Sequence, residues 1–303
     1  MIIIIRSLEA RVIAPIVKSI NIVVMCLLRW ILSFKRNITP LPAGKLGSRP
    51  CNQAQLQSPT FQDWVVRMRE EPMRFHRKIW EYCFIAQALH ERGMLRTGSR
   101  GMGFGVGQEP LTALFASMGC EVVASDLATE EAHKDNWVES AQHADSLEAL
   151  NNRGICDPKI FAERVSFRFV DMRNLPDDLG TFDFVWSSCS LEHLGSIALG
   201  EEFIYKSLEY LKPGGVSVHT TEYNVLSNIF SITRGPTVVF RRRDLRRITD
   251  TLRQRGYRVD LHFTNGDLPH DFYVDLPPYK QEVHLKLLLG KYIVTSFALI
   301  IEN

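Results

Sequence analysis

Glycines stand at every second position of Gly101-Met102-Gly103-Phe104-Gly105-Val106-Gly107, and a carboxylate, Asp126, follows the last of them by 19 residues. Backbone without Cβ atoms lets a ligand approach closely, and an acid at the tip of the next strand can accept both hydroxyls of a ribose. A dinucleotide loop needs G-x-G-x-x-G, and glycines at 101, 103, 105 and 107 supply that spacing in no register. The alternation instead suits a ligand with no pyrophosphate to hold. Further along stand Asp171-Met172, the loop Leu191-Glu192-His193-Leu194, and Glu222-Tyr223-Asn224. His193 can act as a base near neutral pH, or pack and cap as a structural loop residue. Glu222 and its neighbours either line an acceptor pocket or form a polar turn.

These groups need strand ends and loops to carry them, and the patterning supplies both. Pro110 suits a first helical turn, Leu111, Leu114, Phe115 and Met118 follow at helical spacing, and Gly119 ends the run. Strands are predicted over 121–125, closing on Asp126, over 165–170, ending on Asp171, and over 182–187. A helix runs to Leu211, and Lys212-Pro213-Gly214-Gly215 breaks it before a strand over 216–220. The tail reads as a helix over 243–255 and strands over 257–263 and 292–301. The expected fold is α/β: a Rossmann-like doubly wound sheet, mostly parallel with an antiparallel last strand, plus an N-terminal helical extension. Three segments follow: a basic amphipathic extension over 1–38, a linker over 39–58 and the folded domain over 59–303.

The glycine loop with Asp126 resembles the first two motifs of the class I S-adenosylmethionine-dependent methyltransferases. Asp171-Met172 looks like that family's acidic pair bracketing the adenine. Phe182-Asp183-Phe184-Val185-Trp186-Ser187 with the Glu192-His193 loop is similar to its fourth-strand motif, and Leu211-Lys212-Pro213-Gly214-Gly215 to its turn before the fifth strand. The likeness covers roughly 95–225. It implies S-adenosyl-L-methionine as cofactor, held by Gly103, Gly105, Gly107, Asp126, Asp171, Met172 and Ser187. It also implies methyl transfer to oxygen or nitrogen of a small-molecule or glycan-type acceptor, with His193 and Glu222 as catalytic candidates and no metal. One departure stands out: where the family has an acid two residues before the first glycine, this chain has Gly101, so the contacts to the methionine moiety either differ in detail or come from Glu109.

A net charge of +2 over 303 residues is too small to imply a polyanionic partner for the whole chain. The run Arg241-Arg242-Arg243-Asp244-Leu245-Arg246-Arg247 sits on a helix whose buried stripe is Leu245, Ile248 and Leu252, so a solvated face is expected rather than nucleic-acid binding. Six scattered cysteines give neither a zinc signature nor a disulfide framework, the pattern of a reducing cytoplasm. Wound as a helix, Arg11, Lys18, Arg29 and Arg36 form one stripe in an otherwise apolar stretch. Peripheral membrane contact through 1–36 and docking on a protein surface both fit it. Trp137, Gln142 and His143 mark a lid or a helical ornament, and residues 268–279 an acceptor-holding insert or an apolar plug. Two other functions fit the same features: a catalytically silent, membrane-associated binding module, and an NAD-dependent oxidoreductase, against which the glycine spacing argues.

Overall fold

Short apolar runs between turns become the strands of one sheet: β1 (Arg49–Pro50), β3 (Arg100–Phe104), β4 (Glu121–Asp126), β5 (Val165–Phe169), β6 (Phe182–Ser188), β7 (Leu211–Asn224), β9 (Leu287–Leu289) and β10 (Tyr292–Glu302). The computed structural model describes residues 23, 26, 27, 45–127 and 147–303. Most of the N-terminal segment, with Arg11, Lys18, Arg29 and Arg36, lies outside these, as do Trp137, Gln142 and His143. Of that segment, Val23, Cys26 and Leu27 are helical and exposed. Among the described residues no helix is long and apolar enough to cross a membrane.

The order across the sheet is β1-β10-β7-β6-β3-β4-β5, with β9 paired to β10. β3 to β7 are mutually parallel, and β10 runs antiparallel to β7. This is the mostly parallel sheet with an antiparallel last strand that the patterning predicts.

The helices form where the capping chemistry is good. Ser58 caps α2 (Pro59–Arg67) on the N–H of Phe61, with proline in the first turn. Asp157 does the same for α5 (Pro158–Arg164), and Ser196 for α6 (Ile197–Ser207). α1 (Gln53–Leu56), α3 (Arg77–Glu91) and α4 (Leu111–Ser117) complete the layer that buries Trp80, Phe84 and Phe115 with Phe184 and Trp186 of β6. α6 and α7 (Arg242–Gln254) bury Phe203, Leu245, Ile248 and Leu252 with Phe104 and Phe297 in the second cluster. The stripe of α7 is therefore buried as its spacing predicts. Its arginines are engaged locally: Arg241 on Asp244, Arg247 on Glu201, Arg242 and Arg246 over the Phe263 ring.

Three segments differ from the sequence expectation. Residues 257–263 form no strand and make only isolated bridges, Arg258 with Glu302 and Leu261 with Ser48. The reason is that β1 lies along the outer edge of β10, in register Arg49 with Ala298 and Pro50 with Phe297. Residues 45–58 are thus packed despite their linker composition, and Pro50 sits on the edge strand, where its missing N–H is tolerated. The Lys-Pro-Gly-Gly break appears as a register shift inside a longer β7, which continues to Asn224. Glu222, Tyr223 and Asn224 are accordingly strand residues, opposite Ser296, Thr295 and Val294. A two-stranded pair, β2 (Phe75–His76) with β8 (Val283–His284), closes the start of α3.

Candidate active site

β4 and β6 flank β3 on opposite sides, so the winding of the chain reverses at β3 and a crevice opens at the carboxyl ends of these strands. A cavity of about 360 Å³ lies there. Its wall draws on Gly105–Glu109 after β3, Asp126 and Leu127 at the end of β4, Val170–Arg173 after β5 and Ser188–Ser190 with His193 at and beyond the end of β6.

The glycines divide into two kinds. Gly101 and Gly103 are cross-strand partners of Phe184 and Trp186, and a Cβ on either would stand inside the partner's ring. They let two aromatic rings lie flat on β3; Gly103 packs beneath Trp186 and does not line the cavity. Gly105 and Gly107 have φ of +58° and +50°, the left-handed region that glycine adopts without strain. There the loop folds back: Val106 N–H donates to Ser125 O at 3.0 Å, and Gly107 N–H to Asp126 Oδ2 at 3.1 Å. Ser190 Oγ donates to Gly105 O at 2.9 Å, joining the glycine loop to the loop after β6.

The missing acid at 101 has a steric cause, because the Phe184 ring occupies that space. The nearby acid is Glu109, whose Oε1 accepts the Trp186 indole N–H at 2.6 Å. Burial pushes the Glu109 carboxyl up to about 8, against the lowering effect of that hydrogen bond. At neutral pH it is largely protonated.

Asp126 stands at the tip of β4 on the cavity wall, with Oδ1 accepting Leu127 N–H at 2.8 Å. Asp171 also lines the cavity and is paired with Arg173, Nε to Oδ1 at 2.9 Å. Met172 is buried against the glycine loop and presents a thioether to the same space. A carboxylate for ribose hydroxyls, left-handed glycines at close approach, and Val170, Met172 and Leu194 as apolar walls fit a nucleoside bearing a charged thioether chain. Ser187 is placed differently. It lies within β6, fully buried, hydrogen-bonded to His219 Nδ1 at 2.8 Å, and stays off the cavity. The strand runs one residue further than its apolar run, so Ser188, Cys189 and Ser190 take the wall instead.

His193 reaches the cavity from the loop expected to carry it. Its Nδ1 lies 2.8 Å from Pro236 O, and a carbonyl can only accept, so Nδ1 carries the proton and Nε2 the lone pair. Burial lowers its pKa to about 4, against the raising effect of the Pro236 bond. The imidazole is thus neutral at physiological pH.

Glu222, the other catalytic candidate, does not reach the cavity. It pairs through Oε1 with Arg77 at 2.5 Å, inside a buried polar cluster behind the wall. There Glu81 accepts from Ser188, Thr220 and Ser296 and faces Arg77 and Lys78. Burial would raise Glu81, but Lys78 and Arg77 outweigh it and hold the carboxyl at about 2. Glu192 accepts from Thr221 Oγ1 at 3.2 Å, and burial raises it to about 7. Cys189, Glu192 and Glu222 bring donor atoms within 4.8 Å of one another, beside the two cations. Cys189 holds φ +47°, a strained conformation for a side-chain-bearing residue.

Sequence reasoning missed Lys78 and Tyr82 of α3 and Arg153, all on the cavity wall. The signal available was the Arg77, Lys78 and Glu81 group interrupting an apolar helix. The insert over 268–279 forms no part of the wall; Asp271 is buried and accepts Gln53 N–H at 2.8 Å, which pins the insert to the start of α1.

A family profile described as a methyltransferase domain matches residues 102–218, from β3 into β7. No curated protein matches the chain. Among solved structures it is similar to the glycopeptide N-methyltransferase MtfA, at 15% identity over 75% of this chain and 90% of that one, TM-score 0.45. It is also similar to an S-adenosylmethionine-dependent methyltransferase from Mesorhizobium loti, at 14% identity over 73% and 98%, TM-score 0.44. Magnesium protoporphyrin IX methyltransferase from Synechocystis PCC 6803 is a third, at 12% identity over 82% and 94%, TM-score 0.43. With the matched residues building the crevice and its glycine loop, the chain carries a class I S-adenosylmethionine-dependent methyltransferase domain, with S-adenosylmethionine as its cofactor.

Proposed function

We propose that the chain transfers a methyl group to an oxygen or nitrogen of a small polar or glycan-type acceptor, with His193 as the base. The observation that carries this reading is that Asp126 and His193 line one cavity of about 360 Å³, with the His193 Nδ1 engaged by Pro236 O. The cofactor supplies a methyl carbon activated by a positively charged sulfur. Asp126 accepts the ribose hydroxyls, while Gly105 and Gly107 let the methionine chain approach the backbone. Asp171 and Met172 bracket the adenine. Gly103 and Ser187 act indirectly, through Trp186 and His219 packing. Glu222 serves the Arg77 pair that stiffens the wall behind Cys189.

The acceptor's lone pair attacks the methyl carbon in line, and the carbon–sulfur bond breaks with its electrons left on sulfur. The proton released by the acceptor goes to His193 Nε2, which is neutral and aligned by Pro236. Residues 1–38 take no part in this chemistry, and the catalytic domain comprises 59–303, with the short strand at Arg49–Pro50 packed on its last strand.

The test is incorporation of labelled methyl groups from S-adenosylmethionine into polar metabolites and glycans extracted from source cells, fractionated by size and charge. Label appearing in one such fraction, and vanishing with His193→Ala, is the expected result. Label confined to protein or nucleic acid would overturn the acceptor class.

A further inference from the structure

Between β7 and α7 the chain exposes Asn228, Ile229 and Phe230, with Ile229 at 65% and Phe230 at 70% exposure. The tip is held rather than loose. Arg241 Nη1 donates to Ile229 O at 2.7 Å, Asn224 Nδ2 to Phe230 O at 3.1 Å, and Arg243 N–H to Asn228 Oδ1 at 2.7 Å. Ser227 Oγ accepts from the N–H groups of both Ile229 and Phe230. Two large apolar side chains are therefore presented to solvent on a fixed backbone, at the conformational cost such anchoring entails.

The surroundings are basic. Residues 225–247 hold six arginines and one acid, Asp244, which is buried against Arg241. Exposed Arg234 and Arg243, and Lys291 beside Phe230, enter no ion pair among the described residues. Tyr292, with an apolar ring and a polar tip, borders the same surface.

We propose that this tip is a docking element for an anionic lipid bilayer, with Ile229 and Phe230 entering the acyl boundary and the flanking cations meeting the headgroups. The exposed area decides against a protein partner. The two side chains offer on the order of 250 Å², whereas each partner in a stable protein–protein interface buries about 800 Å². A bilayer needs no such area, because apolar insertion and headgroup attraction add.

Docking there would also reach the active site. The downstream part of this loop is stitched to the His193 loop: Ile197 N–H donates to Thr233 O, Gly235 N–H to Gly195 O, and Val238 N–H to Glu192 O. Pro236 O orients the His193 ring itself. The loop that carries the tip is thus hydrogen-bonded, through its downstream part, to the segment that carries the base.

The test uses the full chain with phosphatidylcholine vesicles, with and without phosphatidylglycerol. Ile229→Ser with Phe230→Ser should weaken binding to the anionic vesicles roughly tenfold or more, with the thermal shift on adding S-adenosylhomocysteine unchanged. Arg243→Glu should weaken it less, and only at low salt. Phe230→Trp should gain fluorescence that brominated-chain lipid in the anionic vesicles quenches. No quenching at position 230 would overturn the proposal, whatever the N-terminal segment contributes to vesicle binding. So would a concentration-dependent dimer lost in the double variant, which would assign the tip to a second copy of the chain.

Discussion

Glu109 carries a proton because the space it fills is dry, and a proton held only in the folded state makes stability depend on pH. Its carboxyl rises from 4.5 to about 8 on folding. Between those values the folded chain binds more protons than the unfolded one, so stability is full below about 4.5 and is lost as pH rises through about 8. Glu109→Gln mimics the protonated form. The stability of the variant relative to the parent should therefore climb from pH 5 to 8, by at most about 1.4 kcal/mol per pH unit; parallel urea-denaturation curves across that window would contradict it. Asp126→Ala should weaken S-adenosylhomocysteine binding by roughly 1–3 kcal/mol, through lost charge-assisted hydrogen bonds. Calorimetry showing unchanged affinity would remove Asp126 from the site. His193→Ala should lower kcat roughly 100- to 10,000-fold with S-adenosylhomocysteine affinity intact. In the parent the rate should fall only on the acid side, as pH drops through about 4 and Nε2 is protonated. At this scale the sequence was most legible where a residue follows a strand in a recognisable order, as Asp126, Asp171 and His193 do. Ser187 and Glu222 were misplaced because each lies inside its strand, and the strand ends depend on partners far along the chain. β7 reaches Asn224 because β10 pairs with it as far as Val294, some 70 residues away.

At the scale of elements, β3 and β6 are matched by two glycines facing two aromatic rings, and this contact explains the loop better than ligand binding alone. Phe184 and Trp186 lie near-parallel, with centroids 5.9 Å apart, and Phe115 of α4 meets both edge-on. A methyl group at 101 has nowhere to go without displacing Phe184. Gly101→Ala should cost about 1–3 kcal/mol in urea denaturation, the usual range for overpacking a filled core. Phe184→Leu should recover part of that loss, and the double-mutant cycle should show coupling above about 0.5 kcal/mol. Additive losses would mean the ring is not what excludes a side chain there. An acid placed at 101 should fail for the same reason, since its Cβ would meet the Phe184 ring. The long elements were readable from periodicity and punctuation. β1, β2, β8 and β9, of two or three residues each, carry no period to read. Residues 257–263 look like a strand, but their edge position is held by Arg49–Pro50.

For the molecule as a whole, the cavity is where the two core layers meet. Tyr82 and Lys78 come from α3 in the first layer, and Val170 and Met172 belong to the second cluster. The glycine loop, the Asp171 loop and the Ser188–His193 segment are joined across it by few direct bonds, of which Ser190 to Gly105 is one. A ligand spanning the cavity should therefore tie together segments that otherwise open separately. S-adenosylhomocysteine at 100 times its Kd should add about 2.7 kcal/mol of stability, and NAD none, because only the first fits a loop without a pyrophosphate cradle. For a chain of this length that is a rise in Tm on the order of 5 °C. Amide exchange should slow together in the glycine loop, in 171–173, in 189–193 and in the first turn of α3. Protection confined to the glycine loop would mean that the ligand spans only one wall, and that α3 and the His193 segment serve the acceptor alone.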